Sequence, residues 1–354
     1  MNITTLQNES ITLLKALLAI PSISREEEDA AEYMSLFLKE KGFTPERFKN
    51  NLVVKAPDWD ESKPAVMLNS HIDTVKAVSG WESDPFSGIE EDDRITGLGS
   101  NDAGAALVSL LAAFRYLSKC RRTYNLLFVV SAEEEVSGAN GMEFLVPQLG
   151  KIDLAIVGEP TQMNLAVAEK GLMVLDCTAY GKAGHAARNE GENAIYKAIK
   201  DIQWIENFRF PKSSEFLGPV KMSCTQIEAG HQHNVVPEQC RFVVDVRTTD
   251  SYTNEETLAI IRKNLQSEVK ARSLRLNPSG IALDHPVVEK AKKMGLRTFG
   301  SPTLSDQALM PWPSVKIGPG DSARSHTANE YIYKSEIKKG IAAYIELLEG
   351  LEIG

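Results

Sequence analysis

Three short, mainly apolar runs, Val66 to Asn69, Leu126 to Val130 and Leu154 to Val157, each stop within a few residues of a histidine or a carboxylate. Short apolar runs bounded by polar residues read as strands buried on both faces. Around them lie helical patterns: Ile3 to Ile20, Arg25 to Lys41, Leu107 to Leu117, which is apolar almost all round, and a stretch between the second and third runs. Strands alternating with helices predict an α/β domain whose sheet is mixed but mostly parallel and flanked by helices. Open sheets of this kind bind ligands at the carboxyl ends of their strands. The chemistry is therefore to be sought where the runs end.

After Pro160 the texture changes. Strand patterns at Met173 to Tyr180, Lys221 to Ile227 and Gln239 to Val246 alternate with helical ones at Asn193 to Phe208 and Asn254 to Val269, and a last strand is expected at Arg272 to Leu276. The order β, α, β, β, α, β is the split βαβ pattern of a ferredoxin-like module. From Pro286 the α/β texture resumes, with a helix, a short strand at Val315 to Ile317 and a final helix from Lys334. Residues 1–167 and 283–354 thus read as one discontinuous domain, with residues 168–282 inserted in it.

His71 stands at the end of the first buried run, in Ser70-His71-Ile72-Asp73. Asp73 can accept a hydrogen bond from the imidazole, fixing its tautomer and strengthening the other nitrogen as a metal ligand. A surface histidine at a strand end has the same appearance. Asp102, in Gly99-Ser100-Asn101-Asp102-Ala103-Gly104, precedes the apolar helix and is equally explained as its N-cap. Glu133-Glu134-Glu135 follows the second run, Glu159 follows the third, and Val315 to Ile317 leads through a glycine loop to His326. Each is ambiguous alone. Together, His71, Asp102, Glu134, Glu135, Glu159 and His326 fall at one edge of one sheet. Four carboxylates brought that close repel one another unless cations neutralise them, and two divalent ions supply the four positive charges. Oxygen and imidazole ligands without thiolate suit zinc, cobalt or manganese, and the histidines tilt the choice to zinc.

The segments Ser70 to Val75, Gly97 to Gly104, Ser131 to Gly138, Val157 to Thr161 and Gly318 to His326 together resemble the zinc amidohydrolases that include acetylornithine deacetylase, succinyl-diaminopimelate desuccinylase and related aminoacylases and carboxypeptidases. The resemblance covers nearly the whole chain. It implies two Zn²⁺ per chain, replaceable by Co²⁺ or Mn²⁺, with Asp102 bridging them, His71 and Glu159 completing one site, and Glu135 and His326 the other. Glu134 is then the general base, and Asp73 belongs with the catalytic set. The inserted domain resembles the family's lid, which often forms a homodimer contact. Within it His185 matches a histidine that stabilises the oxyanion in a partner subunit's site, while Asn234 and Arg247 match positions that hold substrate. Arg324, like Arg188 or Lys182, could bind the second carboxylate of a succinyl group. His231 and His233 receive no role, and His285 is expected at the surface. Ser70, Ala103-Gly104 and Glu133 depart from the commonest family residues without removing a ligand.

Composition narrows the alternatives. With 48 acidic against 39 basic residues the net charge is −9, so nucleic acid and anionic membranes are repelled on average. Four cysteines without a CxxC pair suit a reducing cytoplasm. The apolar stretch Ile11 to Ile20 is broken by Lys15 and reads as an amphipathic helix rather than an export signal, and the longest uncharged run, Ala103 to Phe114, is too short for a bilayer. A nicotinamide dehydrogenase would need dinucleotide glycine spacing, which is missing. A metal-free binding protein of the same descent would be expected to lack a ligand or Glu134, and all are present. The expected activity is hydrolysis of a small N-acyl amino acid, most like acetylornithine deacetylation in arginine biosynthesis. Desuccinylation of an ornithine, citrulline or diaminopimelate derivative, and dipeptidase action, stay open.

Overall fold

A computed structural model of the chain describes residues 2–188 and 190–353. The apolar runs become strands buried at every position: Ala65–His71, Asn125–Ser131 and Leu154–Val157. They run parallel, with His71 opposite Ser131 and Asn69 opposite both Val129 and Val157. Across the sheet the order is Glu46–Phe48, Asn51–Lys55, Asn125–Ser131, Ala65–His71, Leu154–Val157, Ser314–Lys316, then Leu165–Glu169. The first two strands are antiparallel additions, whereas Ser314–Lys316 extends the parallel set. The sheet is therefore mixed and mostly parallel.

Helices cover both faces because both faces are apolar. Ala105–Leu117 is buried at every residue except Tyr116, and it packs on Ala65–His71 and against the helices Ile3–Leu18 and Lys334–Leu348. Its one charged residue, Arg115, is held by Glu9 at 2.7 Å. On the other face Met142, Leu145 and Leu149 of the helix Met142–Leu149 pack with Met67, Leu127, Val129 and Ala155. Among the described residues no helix is long and apolar enough to cross a membrane.

The chain divides into two compact units, one of Met1–Val167, Gly280–Phe299 and Ser305–Gly354, the other of Ala168–Ser279 and Gly300–Leu304. The second unit carries an antiparallel sheet in the order Lys221–Ala229, Gln239–Thr248, Gly171–Tyr180, Glu268–Ala271. Strict alternation along Gly171–Tyr180 and Gln239–Thr248 turns Leu175, Cys177, Phe242 and Val244 toward a core shared with Ala198, Ile205, Leu258 and Ile261 of the helices Ala194–Asn207 and Asn254–Asn264.

Two expectations need correction in this unit. The helix expected to reach Val269 ends at Asn264, and the last strand is Glu268–Ala271, not Arg272 to Leu276. The Asp201 carboxylate accepts the amide protons of Gln266 (3.1 Å) and Ser267 (2.8 Å), and Arg262 donates to the Val269 carbonyl. These bonds turn the chain one step early. Val269, which periodicity assigned to the helix, is the strand residue opposite Cys177. A small sheet of Ile89–Glu91, Arg94–Thr96 and Tyr331–Tyr333, in the first unit, had no signal in the apolar pattern.

Beyond Ser314–Lys316 the chain passes so close to Glu159 that a Cβ on Gly318 would strike the Glu159 carbonyl and come within 3.0 Å of the Tyr344 hydroxyl. Overpacking of this kind costs about 1–3 kcal/mol. Gly318→Ala should lower the urea midpoint accordingly, and an unchanged midpoint would mean that the approach is looser than described.

Candidate metal centre

His71 ends its strand, is 2 % exposed, and has Nδ1 2.9 Å from the carbonyl oxygen of Asp73. A carbonyl only accepts, so Nδ1 carries a proton and Nε2 is the nitrogen that faces the crevice. There Nε2 lies 3.3 Å from Asp102 Oδ1, 3.7 Å from Glu159 Oε1 and 3.9 Å from Glu134 Oε2. On the far side of Asp102, His326 Nε2 lies 3.7 Å from Oδ2 and 2.9 Å from Glu135 Oε2. The two oxygens of Asp102 thus face two different histidines. Ligand atoms of His71, Glu134 and Glu159 lie within 4.8 Å of one another, as do those of His71, Asp102 and Glu135.

The backbone explains these directions. Asp73 does less for the imidazole than its spacing suggested: its carboxylate is 3.5 Å from His71 Nδ1, and the ring leans on its main-chain oxygen instead. That carboxylate accepts the amide protons of Glu134 (3.0 Å) and Glu135 (3.1 Å) and the Ser24 hydroxyl (2.7 Å), so it orients both strand-end glutamates at once. Glu133 sits at φ +56° with its side chain turned to Asn140, 2.7 Å away, and leaves the site to its two neighbours. Asp102 is not a helix cap either, because the helix begins at Ala105 without a capping side chain. Its amide proton and that of Asn101 go to Glu330, at 2.9 and 2.8 Å.

The electrostatics of the cluster show a shortage of positive charge. Burial pushes Glu134 and Glu159 well above the usual carboxylate range, with neighbouring carboxylates adding to the shift and His71 opposing it. Glu135 is raised by burial too, against its hydrogen bond to His326. Burial disfavours the charged form of His71, yet its bond to Asp102, the nearby Asp73 carboxylate and the charges of Glu134 and Glu159 outweigh this and hold its pKa well above the ordinary value. The bond to Glu135 pushes His326 up to about 9. Asp102 and Asp73 are held below the usual range: burial would raise each, but for Asp102 the bond to His71 prevails, and for Asp73 the proximity and charge of His71 together with the bonds from Ser24 and the Glu134 amide. Acids that resist ionising beside bases that hold their protons are the donor set that divalent cations satisfy, and oxygen with imidazole suits zinc or its neighbours.

Two buried acids escaped the sequence reading. Asp306 is 4 % exposed, accepts from the Ser131 hydroxyl at 2.6 Å, and is raised by burial to about 6. Glu330 is 1 % exposed and raised by burial to about 7. Neither ends an apolar strand run, and their partners are a serine and main-chain amides, which leave no motif.

In the second unit, Gly184–His185 pairs with Val235–Val236, and the Ala186 amide donates to the Asn234 carbonyl at 3.0 Å, so His185 and Asn234 are neighbours. Ala187 donates to His185 Nδ1 at 3.1 Å, which leaves the ring proton on Nε2. Arg247 grips Asp245 with two bonds, at 2.9 and 3.1 Å. In the first unit the fork of Arg324 is likewise taken up by Glu336, at 2.7 and 3.2 Å, with its guanidinium 4.6 Å from the Tyr331 ring centre. His231 and His233 are exposed. His285 is half-buried rather than simply superficial, and accepts from Val287 as N-cap of Pro286–Lys293.

Residues 67–350 match the model of peptidase family M20/M25/M40. Among curated proteins the chain is 29% identical over 351 residues to a peptidase M20 domain-containing protein of Schizosaccharomyces pombe, covering 94% of this chain and 82% of that one. It is 26% identical over 275 residues to a succinyl-diaminopimelate desuccinylase of Orientia tsutsugamushi, 72% and 71% of the two chains. To an acetylornithine deacetylase of Photorhabdus laumondii it is 25% identical over 361 residues, 92% and 93% of the two. In fold it is similar to the aminopeptidase PepT of Bacillus cereus, with a TM-score of 0.76 at 20% identity over 99% and 98% of the two chains.

A centre so short of positive charge should be stabilised by divalent ions. Zinc or cobalt added to chelator-treated protein should raise the unfolding midpoint, by about 2.7 kcal/mol of stability at free metal a hundredfold above Kd. Asp73→Asn, which loosens both glutamates, should blunt that rise. A melting curve indifferent to divalent ions would remove the metal assignment.

Proposed function

Since the chain belongs to peptidase family M20/M25/M40, we propose that its metal-dependent hydrolysis of amide bonds is directed at small N-acyl amino acids and uses two zinc ions per chain, with acetylornithine the substrate type favoured. The observation that carries this reading is the placement of Asp102 between His71 and His326, with Glu159 beside the first and Glu135 beside the second. His71, Asp102 and Glu159 would hold one ion, and Asp102, Glu135 and His326 the other, with cobalt or manganese able to substitute. Ions bound there supply Lewis-acid polarisation of an amide carbonyl and a water of lowered pKa.

The remaining work falls to the chain. Glu134 lies within 3.9 Å of His71 Nε2, so distance alone does not separate it from the ligands. Its backbone is fixed through Asp73 beside that of Glu135, which lets one glutamate bind while its neighbour takes a proton from water and hands it to the leaving amine. His185, with its proton on Nε2, suits the donor that steadies the tetrahedral oxyanion. We assign it to the site of a partner subunit in a homodimer built through the second unit, which acts as a lid. Asn234, beside it, and Arg247 would hold the substrate, Arg247 by exchanging part of its bond to Asp245 for a substrate carboxylate. Arg324, fixed on Glu336, would help only by exchanging that partner. The four cysteines are unpaired, which suits a cytoplasmic enzyme.

A second reading has support of its own, since several similar proteins are named succinyl-diaminopimelate desuccinylases. A panel of acetyl- and succinyl-ornithine, citrulline and diaminopimelate, with dipeptides and added zinc or cobalt, tests both. Acetylornithine should turn over fastest, preference for a succinyl compound selects the second reading, and no amide cleavage at all would sink both.

Glu134→Gln should keep its metal and lose about 10²–10⁴-fold in turnover, whereas Glu135→Gln should lose metal. Exchanged phenotypes would exchange the roles. His185→Ala should lose about 10²–10³-fold with metal intact. Mixed with Glu134→Gln it should regain activity, because each hybrid dimer then has one site with both groups. Verified subunit exchange without recovery would end the trans assignment.

A further inference from the structure

Asp102 and His326 come from segments more than 200 residues apart, and two buried side chains tie those segments together. Asn101, fully buried, uses its whole amide on the loop that leads to His326: Oδ1 accepts the Asp321 amide proton at 2.9 Å, while Nδ2 donates to the Asp321 carbonyl at 3.0 Å and to the Ser325 hydroxyl at 3.2 Å. Gly320, at φ +93°, leaves room for it, since a Cβ there would strike Asn101 Oδ1. Glu330, four residues beyond His326, accepts the amide protons of Asn101 and Asp102, and its own carbonyl takes that of Gly97 at 2.9 Å.

The bonds therefore end on the two residues that matter: on the main chain of Asp102 itself, and on Ser325, the immediate neighbour of His326. Resting on the dinuclear reading above, we infer that Asn101 and Glu330 are positioning residues that set Asp102 against His326 before an ion arrives, and so fix the affinity of the ion shared by Asp102, Glu135 and His326. The ion of His71, Asp102 and Glu159 shares Asp102 but takes its other two ligands from elsewhere, and so depends on them less. His71 is fixed by its strand and by the Asp73 carbonyl. Glu159 follows the Gly158 amide, which bonds to Asn69 at 2.7 Å.

The test is a stepwise titration of chelator-treated protein with Co²⁺, followed by calorimetry and the cobalt absorption bands, with anomalous scattering to locate each ion. Asn101→Ala should weaken the Glu135–His326 ion by about 10–100-fold, the usual effect of removing a group that supports a ligand, and weaken the His71–Glu159 ion, which shares only Asp102 with it, distinctly less. Glu330→Ala should do the same, and Glu330→Gln, which keeps an acceptor oxygen in place, should restore part of the loss. Where Asn101→Ala folds poorly, Ser325→Ala removes a single hydroxyl and should shift the same ion in the same direction by less. Two ions bound as in the wild type overturn the inference, as does equal weakening of both in proportion to lost thermal stability. A wild-type protein that takes no second ion is a different result: it overturns the dinuclear reading and this inference with it.

Discussion

Four carboxylates gathered at the edge of one buried sheet are the constraint around which this structure is arranged. Each was brought out of water, where it would ionise freely, to a place where it is close to the others. Among the described residues the charges of His71, His326 and Lys316 act on them without offsetting burial at the three glutamates. Two histidines hold their protons against burial, and three glutamates resist ionising, both signs of the same deficit. A sheet edge that keeps such an arrangement gives up stability in the absence of ions. What it retains is a preformed set of oxygen and nitrogen donors.

Preformation depends on groups that never face the crevice. The Asp73 carboxylate holds Glu134 and Glu135 by their main chain, the Asp73 carbonyl selects the tautomer of His71, and Glu330 holds Asp102. These bonds go to backbone amides or carbonyls, and they are buried or partly buried, so solvent competes for them little. The parallel sheet contributes by register. His71 is opposite Ser131, which begins the turn to Glu134, and Asn69 is opposite Val157, two residues before Glu159. Three of the donors are thereby set side by side before any loop is considered.

The second unit follows a different rule. Its sheet is antiparallel with one face packed under helices, so alternation along the strands, not the chemistry of their ends, shapes it. Its polar groups of interest lie in the short pairing of Gly184–His185 with Val235–Val236 and on the open face, where Arg247 is already satisfied by Asp245. A ligand carboxylate recruited there has to compete with an existing partner, which favours a selective site over a tight one.

Much of this was legible in the amino-acid order, for a physical reason. Burial on both faces makes a parallel strand a plain apolar run, and the residue ending such a run inherits a fixed place, so His71, the Glu134-Glu135 pair and Glu159 announced themselves. The ferredoxin-like order was equally visible through period-two alternation, and it failed at Val269, where the side chain of Asp201, distant in sequence, ended the helix early. Tertiary structure alone decided the rest. Which of three consecutive glutamates face the site was set by a left-handed backbone at Glu133, the true work of Asp73 lay in amides beyond the end of the neighbouring strand, and Asp306, Glu330 and Asn101 carried no signal because their partners are a serine or the main chain of distant segments. Local sequence determines where a strand stops and what chemistry stands there. The direction in which that chemistry points depends on hydrogen bonds between parts of the chain that only folding brings together.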